Sequence, residues 1–386
     1  MKFGLLYELE SPRPWDATHN EYHTYWEALA QIELADRIGV DHVWAVEHHF
    51  LEEHAHSSAP EVFFGAVSQR TRNIRISHGV RLLPFNFNHP IKLAEQAAVL
   101  DIISNGRVDF GTGRSTTTQE LDGFNINYGR SRAEMREALE IIVKAWTEDI
   151  LEYDGALMKV PPRPVVPKPL QKPHPPVWMA CGAPESYQIA GDRGLGVLSF
   201  TLNWDYAQQC LESYHTAFAH RSDQVVKVAN EQFAGLVICH VAENTEEEAL
   251  ALDGARWFMH STAQLFIPFS TKQDLASYEY LRAFFGKNLD PQTASDAELK
   301  DHHMVAIGNP DEVLRKLEGF QKAGMDQILL FKQAGRIPHA NIMRSIKRIG
   351  RYILPHFRTH PGTSLYRHPE RSEGSLREIL RPTASE

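Results

Sequence analysis

Eight short apolar segments alternate with stretches of helical spacing along this 386-residue chain. They are Lys2–Tyr7, His42–Val46, Ile74–Ser77, Val108–Gly111, Val177–Ala180, Val197–Phe200, Gln232–Val241 and Gln327–Phe331. Their length and bounding turn residues make them strands. The first helix reads Leu29, Ile32, Leu34, Ala35 and Ile38, one face at 3.6-residue spacing, and stops at Gly39. Pro60–Arg70, Pro90–Ile103, Arg132–Trp146, Pro184–Arg193, Asp205–Ala219, Thr245–Met259, Asp311–Ala323 and Asn341–Leu354 are the other helical stretches. Pro90 opens its helix at a first-turn position, and Asn309 is placed to cap the one that follows it. Strands separated by helices pair in parallel. An open dinucleotide-binding sheet would show Gly-x-Gly-x-x-Gly after its first strand, and nothing of that form follows Tyr7. The pattern therefore predicts an α/β fold, a closed (β/α)8 TIM barrel.

The barrel is expected to occupy residues 1–357, with an insertion at 260–303 late in the barrel and a disordered tail at 358–386. The insertion is rich in aromatic residues, which suit an apolar lid or a small auxiliary core equally. The tail is polar, charged and poor in apolar residues. Val160–Pro176 carries eight prolines and reads as an irregular surface connection.

A net charge of -9 argues against a nucleic-acid or acidic-membrane partner. No apolar run is long enough to cross a bilayer, and Met1–Tyr7 reads as a strand rather than a secretion signal. Three distant cysteines, Cys181, Cys210 and Cys239, fit a reducing cytoplasm without disulfides or a zinc ribbon.

Barrel enzymes build their sites from the carboxyl ends of the strands. The second strand ends in Glu47-His48-His49-Phe50, where imidazole suits acid–base work. Alternation along a strand turns only one histidine inward, and His48 is the expected one. After the third strand, Gly79 permits close approach of a flat ligand or forms a bulge. The fourth strand ends Gly111-Thr112-Gly113-Arg114, combining open backbone amides with a guanidinium fork suited to phosphate. The fifth runs through Ala180-Cys181-Gly182-Ala183 directly into a helix, an arrangement that seats phosphate or is simply an ordinary turn. His54, His56, His302 and His303 raise a metal site. A barrel metallohydrolase would place His-x-His at the end of the first strand, where this chain has Leu6-Tyr7-Glu8. No metal is expected, and His54 and His56 are read as solvated loop residues.

Together these residues resemble the bacterial luciferase-like family of flavin-dependent monooxygenases. The resemblance runs from Met1 to about Phe357 and is carried by Val43–Phe50, Leu100–Arg107 continuing to Arg114, and Gly308–Val313. It implies a barrel with non-covalent FMN across its carboxyl face. His48 matches the histidine near the reactive edge of the flavin, and Gly79–Val80 a non-proline cis peptide beneath the ring. Arg114, with Gly113 before it, matches a phosphate-binding arginine, and Gly182–Ala183 the amides that hold the same phosphate. Arg130 and Arg132 are equal candidates for a further arginine. Ala180, Cys181, Ser199 and Thr201 complete the implied cofactor lining. Gly113 stands where luciferase has a reactive cysteine, so light emission is not implied.

The implied chemistry is a monooxygenase reaction. Reduced FMN, from a separate flavin reductase or made in place with NAD(P)H, combines with O2 as a flavin hydroperoxide and oxygenates a small organic substrate. A homodimer through early barrel helices is also implied. The alternatives are a deazaflavin-dependent dehydrogenase on the same barrel and a flavin-binding protein without turnover.

Overall fold

The computed structural model describes residues 1–200, 204–266 and 290–359. Its barrel strands are β1 (Lys2–Tyr7), β2 (His42–Ala45), β3 (Arg75–His78), β4 (Val108–Gly113), β5 (Val177–Cys181), β6 (Gly196–Ser199), β7 (Phe233–Val241) and β8 (Gln327–Phe331). Each pairs in parallel with the next, and β8 returns to β1, so the sheet closes. Leu5 lies opposite Val43, Val43 opposite Ile76, and Ile76 opposite Val108, all with no exposed surface. These are the eight strands expected from the sequence, in the expected order.

Helices cover the barrel: α1 (Glu21–Ile38), α2 (Pro60–Arg70), α3 (Pro90–Ile103), α4 (Thr118–Gly123), α5 (Ser131–Thr147), α6 (Pro184–Asp192), α7 (Trp204–Ala219) and α8 (Thr245–Phe266). Then follow α9 (Asp296–Asp301), α10 (Pro310–Lys322), α11 (His339–Arg348) and, beyond a π turn at Ile349–Ile353, α12 (Leu354–Thr359). Local chemistry sets their ends. Gly39 closes α1 in the left-handed region at φ 86°. Asn309 caps α10, accepting from the Asp311 and Glu312 amides while Glu312 reaches back to the Asn309 amide. On α5 the buried Met135, Ala138, Leu139, Ile142 and Trp146 form the inward stripe, and Trp146 donates to the Ala94 carbonyl at 2.9 Å.

Several segments depart from the sequence reading, among them two strands. Val305–Gly308 is a strand, paired in parallel with Ile238–Val241. β7 has nine residues, and the barrel uses only its first part, so the remainder offers an edge that this short segment takes up. Lys159–Arg163 is also a strand despite Pro161 and Pro162, in an antiparallel ribbon with Leu151–Asp154. On the edge of a two-stranded ribbon, prolines remove no needed hydrogen bond. Most of the expected insertion, residues 267–289, and all but two residues of the expected tail lie outside the described residues. α8 itself extends past 260 to Phe266.

Barrel closure depends on glycine where strands meet most tightly. A Cβ at Gly111 would stand 2.0 Å from the His78 carbonyl oxygen, a backbone atom that cannot swing aside. Gly111→Ala should therefore destabilise the fold by about 3 kcal/mol, read as a lower denaturant midpoint. An unchanged midpoint would mean that β3 and β4 can part without cost.

Candidate active site

The carboxyl ends of β1 to β6 converge on one cavity of about 210 Å³. Glu8 follows β1, Glu47 and His48 follow β2, and Gly79 and Val80 follow β3. Gly113 and Arg114 come from β4, Ala180, Cys181 and Gly182 from β5, and Ser199 from β6. The Gly79–Val80 peptide is cis. A second cavity of about 510 Å³ adjoins the first between α5 and α6, sharing Gly113, Arg114, Ala180 and Gly182 with it. Arg132 and Ala183 line this outer part. Arg130 lines neither: it pairs with Glu134 at 3.7 Å on the surface of α5. Of the two arginines that the sequence left equal, Arg132 alone faces the groove, where it pairs with Glu185 at 2.7 Å. Thr201 lies outside the described residues.

Small residues shape the floor. A Cβ at Gly113 would meet the Val80 side chain at 2.4 Å, so the bare glycine leaves Val80 room beneath the cavity. Arg114 reaches the Ser131 hydroxyl at 3.3 Å, which puts its guanidinium between β4 and the start of α5. Ala183 is the N-cap of α6 and provides no side-chain cap, and the Gly182 amide donates to the Ser186 hydroxyl at 3.2 Å. Ser199 shares a hydrogen bond of 2.8 Å with the Tyr187 hydroxyl. Cys181 is buried, and burial pushes its thiol pKa upward, so it is an inert wall residue.

The polar centre is built around His48. Its Nδ1 lies 2.9 Å from Oε1 of Glu120, and its Nε2 lies 3.6 Å from Oε2 of Glu8. Glu120 has no exposed surface but is fully partnered: it also accepts from the His49 amide at 2.9 Å and from the Ser115 and Thr117 hydroxyls, each at 2.6 Å. Burial works against charge on both groups. Their mutual attraction and these hydrogen bonds outweigh it, holding the Glu120 pKa below the ordinary range and pushing that of His48 up to about 9. Nearby Glu8 and Glu47 add to the rise on His48. The ring is therefore an imidazolium at neutral pH, with one proton fixed on Glu120 and the other directed toward Glu8 and the cavity. This corrects the expectation of an imidazole titrating near neutrality.

Burial raises the Glu8 pKa against the pull of His48, and its Oε2 has no hydrogen-bond partner among the described residues. His49 points away, edge-on to Phe124 at 4.8 Å between ring centres. A second ion pair braces the same turn: Arg81 donates to Glu47 at 2.8 Å and to Glu61 at 2.7 Å. Glu47 also accepts from Asn88 and the Leu82 amide, and although burial opposes ionisation these partners hold it at about 2.

His54 is not a solvated loop residue. It is buried, lines the cavity, and its Nδ1 lies 3.0 Å from the Ser261 hydroxyl. Burial, helped by the charge on His48, lowers its pKa to about 3 and keeps it neutral. Among the described residues, no three histidine, cysteine or acidic side chains group as a metal site. Glu8 and Glu120 were missed from the sequence. Glu8 sits at a strand end, where the rim rule alone could have marked it. Glu120 follows Thr117 at the spacing of a capping box, a signal for the short α4 that carries it.

Residues 1–327 match the model of the luciferase-like monooxygenase family. The chain is 25% identical over 375 residues to the oxygenase component of the flavin-dependent trigonelline monooxygenase of Acinetobacter baylyi, covering 92% of this chain and 96% of that one. Among solved structures, monooxygenase RslO1 of Streptomyces bottropensis aligns with a TM-score of 0.76 and 28% identity, over 92% of this chain and 100% of its own. The oxygenating constituent of 3,6-diketocamphane monooxygenase of Pseudomonas putida, solved with FMN, shares the fold at a TM-score of 0.74 and 21% identity, over 92% and 98%. With the family model matched over most of its length, the chain belongs to the luciferase-like monooxygenase family and is an enzyme of that class.

Proposed function

We propose that this enzyme binds reduced FMN across the barrel mouth and uses O2 to oxygenate a small, largely apolar organic molecule. The observation that carries this reading is the convergence of His48, Gly79–Val80, Gly113–Arg114 and Gly182 on one cavity. The residues fit the cofactor. Gly79, Val80, Gly113 and Ala180 give a floor without large side chains for a flat ring. Arg114, the uncapped start of α6 and Arg132 offer a charged seat for its phosphate. When bound, the reduced flavin supplies the electrons and the reactivity toward oxygen. That the relative from Acinetobacter baylyi is named as an oxygenase component supports a separate reductase, drawing on NAD(P)H, as the source of reduced flavin.

The chain's own work is positioning, dryness and proton control. Leu6, Val46, Leu51, Leu236, Phe258 and Leu329 line the inner cavity and exclude water. His48 holds a proton on Nε2 at the cavity wall, and Glu120 fixes the ring and keeps it charged. With its pKa raised above the usual value of 6.5, His48 is protonated through neutrality and loses its proton as pH rises through about 9. Turnover should be level around neutral pH and fall above about 9. In Glu120→Gln the main upward influence is gone, so the alkaline limb should move to lower pH; a limb that stays in place would separate it from His48. The reading as a whole is tested with reduced FMN, 18O2 and a panel of apolar ketones and alkenes. Label in an organic product supports it, and hydrogen peroxide as the sole product with every compound refutes it.

The surface supports a homodimer. Tyr22 and Trp26 on α1, Val62 on α2, and Val99, Ile102 and Ile103 on α3 are exposed apolar residues of the early barrel helices. Light scattering should give twice the chain mass, and Ile102→Asp with Ile103→Asp should give the monomer. A wild-type monomer would remove the dimer. The three buried, unpaired cysteines accord with a reducing compartment, and no helix among the described residues is long and apolar enough to cross a membrane.

A further inference from the structure

Among the apolar residues that line the inner cavity, Glu8 and His54 form a polar patch; they are 8% and 6% exposed and both line the cavity. The backbone beside Glu8 is itself unusual. Leu9 holds a left-handed φ of 58°, a conformation that residues with side chains seldom adopt, and strain of this kind gathers at functional sites. The ring of His54 is fixed from α8: it lies parallel to Phe258 at 5.6 Å between ring centres, and its Nδ1 is 3.0 Å from the Ser261 hydroxyl. Glu10 Oε1 stands 3.9 Å from the same nitrogen, beyond hydrogen-bond reach. Ser261 makes no other hydrogen bond among the described residues, so its hydroxyl donates to Nδ1 and the ring proton sits on Nε2. Glu8 Oε2 lies 3.9 Å from that Nε2 and 3.6 Å from the Nε2 of His48, between two N–H groups and bonded to neither. Oε2 is closed off, so the Glu8 oxygen left to the cavity is Oε1. A donor and an acceptor, unmet among the described residues, thus stand side by side in an otherwise apolar wall, where unmet polar groups are costly.

Resting on the flavin reading above, we propose that the substrate is a largely apolar alcohol, anchored by its hydroxyl between His54 and Glu8. The hydroxyl oxygen accepts from His54 Nε2–H, and the hydroxyl proton goes to Glu8 Oε1. A ketone makes only the first of these bonds and a hydrocarbon neither. Charged groups suit the patch less well: a carboxylate would face Glu8, and an ammonium would face the His48 imidazolium. No covalent step is involved; the two side chains choose which end of the molecule is held and leave the rest against the leucines.

The test is an anaerobic titration of the whole protein, first with reduced FMN and then, at saturation, with cyclohexanol and cyclooctanol, each beside its ketone and its parent hydrocarbon. Ligand-observed NMR gives the affinities. In wild type each alcohol should bind about tenfold tighter than its ketone, and the hydrocarbon more weakly again. Glu8→Gln should turn the preference toward the ketone, because the amide oxygen faces the two imidazole N–H groups and its NH2 faces the cavity. His54→Phe keeps an aromatic ring beside Phe258 and should weaken alcohol and ketone by about tenfold while sparing the hydrocarbon. Reduced FMN should bind wild type and both variants alike; if a variant loses it, the wild-type preference decides. Alcohols no tighter than ketones in wild type, or a preference unchanged in a Glu8→Gln protein that binds FMN, overturns the hydroxyl site alone. Failure of wild type to bind reduced FMN overturns it together with the flavin reading.

Discussion

Replacing His48 by alanine will cut turnover by about 10²–10⁴-fold while leaving reduced-flavin affinity nearly unchanged. The reason is in the partners. Glu120 loses its counter-ion when the ring goes but keeps its bonds to the His49 amide, Ser115 and Thr117, so the carboxylate stays hydrogen-bonded and the site should hold its shape. What disappears is the proton that His48 holds on Nε2 at the cavity wall beside Glu8. Stopped-flow binding and steady-state turnover on the same preparation separate the two effects. Full turnover in His48→Ala would mean that another group handles the proton. An equal loss of flavin binding would make His48 a scaffold residue.

The second large effect is on the phosphate. Arg114→Ala should weaken reduced FMN by about ten- to hundredfold, the worth of a charge-assisted contact to an anion. Riboflavin, which has the same ring and no phosphate, should bind wild type and variant alike. Arg114→Lys should recover only part, because a point charge cannot reproduce the guanidinium fork. Equal weakening of FMN and riboflavin would place Arg114 against the ring, and the phosphate elsewhere.

Much of the barrel could be read from residues alone because strand and helix periodicities alternate cleanly and both are local. The eight strand segments and the glycines after them needed no tertiary knowledge. The site was only half visible for the same reason. His48, Arg114 and Gly182 stand at strand ends, which sequence order marks. Glu120 lies 72 residues from His48 and meets it only when β2 and β4 bring their following loops together, so the charge it enforces on His48 could not be foreseen. His54 looked solvated because its neighbours are polar, and it is buried because α8 packs over it, with Ser261 as its partner. Arg130 and Arg132 are two residues apart on one helix start, and only the direction of the helix tells which of them faces the groove.

The most direct measurement is an anaerobic titration of the protein with reduced FMN beside one with a reduced deazaflavin, each followed by admission of air and an apolar substrate. Saturable binding of FMN at one flavin per chain is expected, with affinity roughly micromolar or tighter, and with oxygen consumed in step with oxygenated product. Tight binding of the deazaflavin with none of FMN would contradict the assignment of this barrel mouth to an oxygen-using flavin.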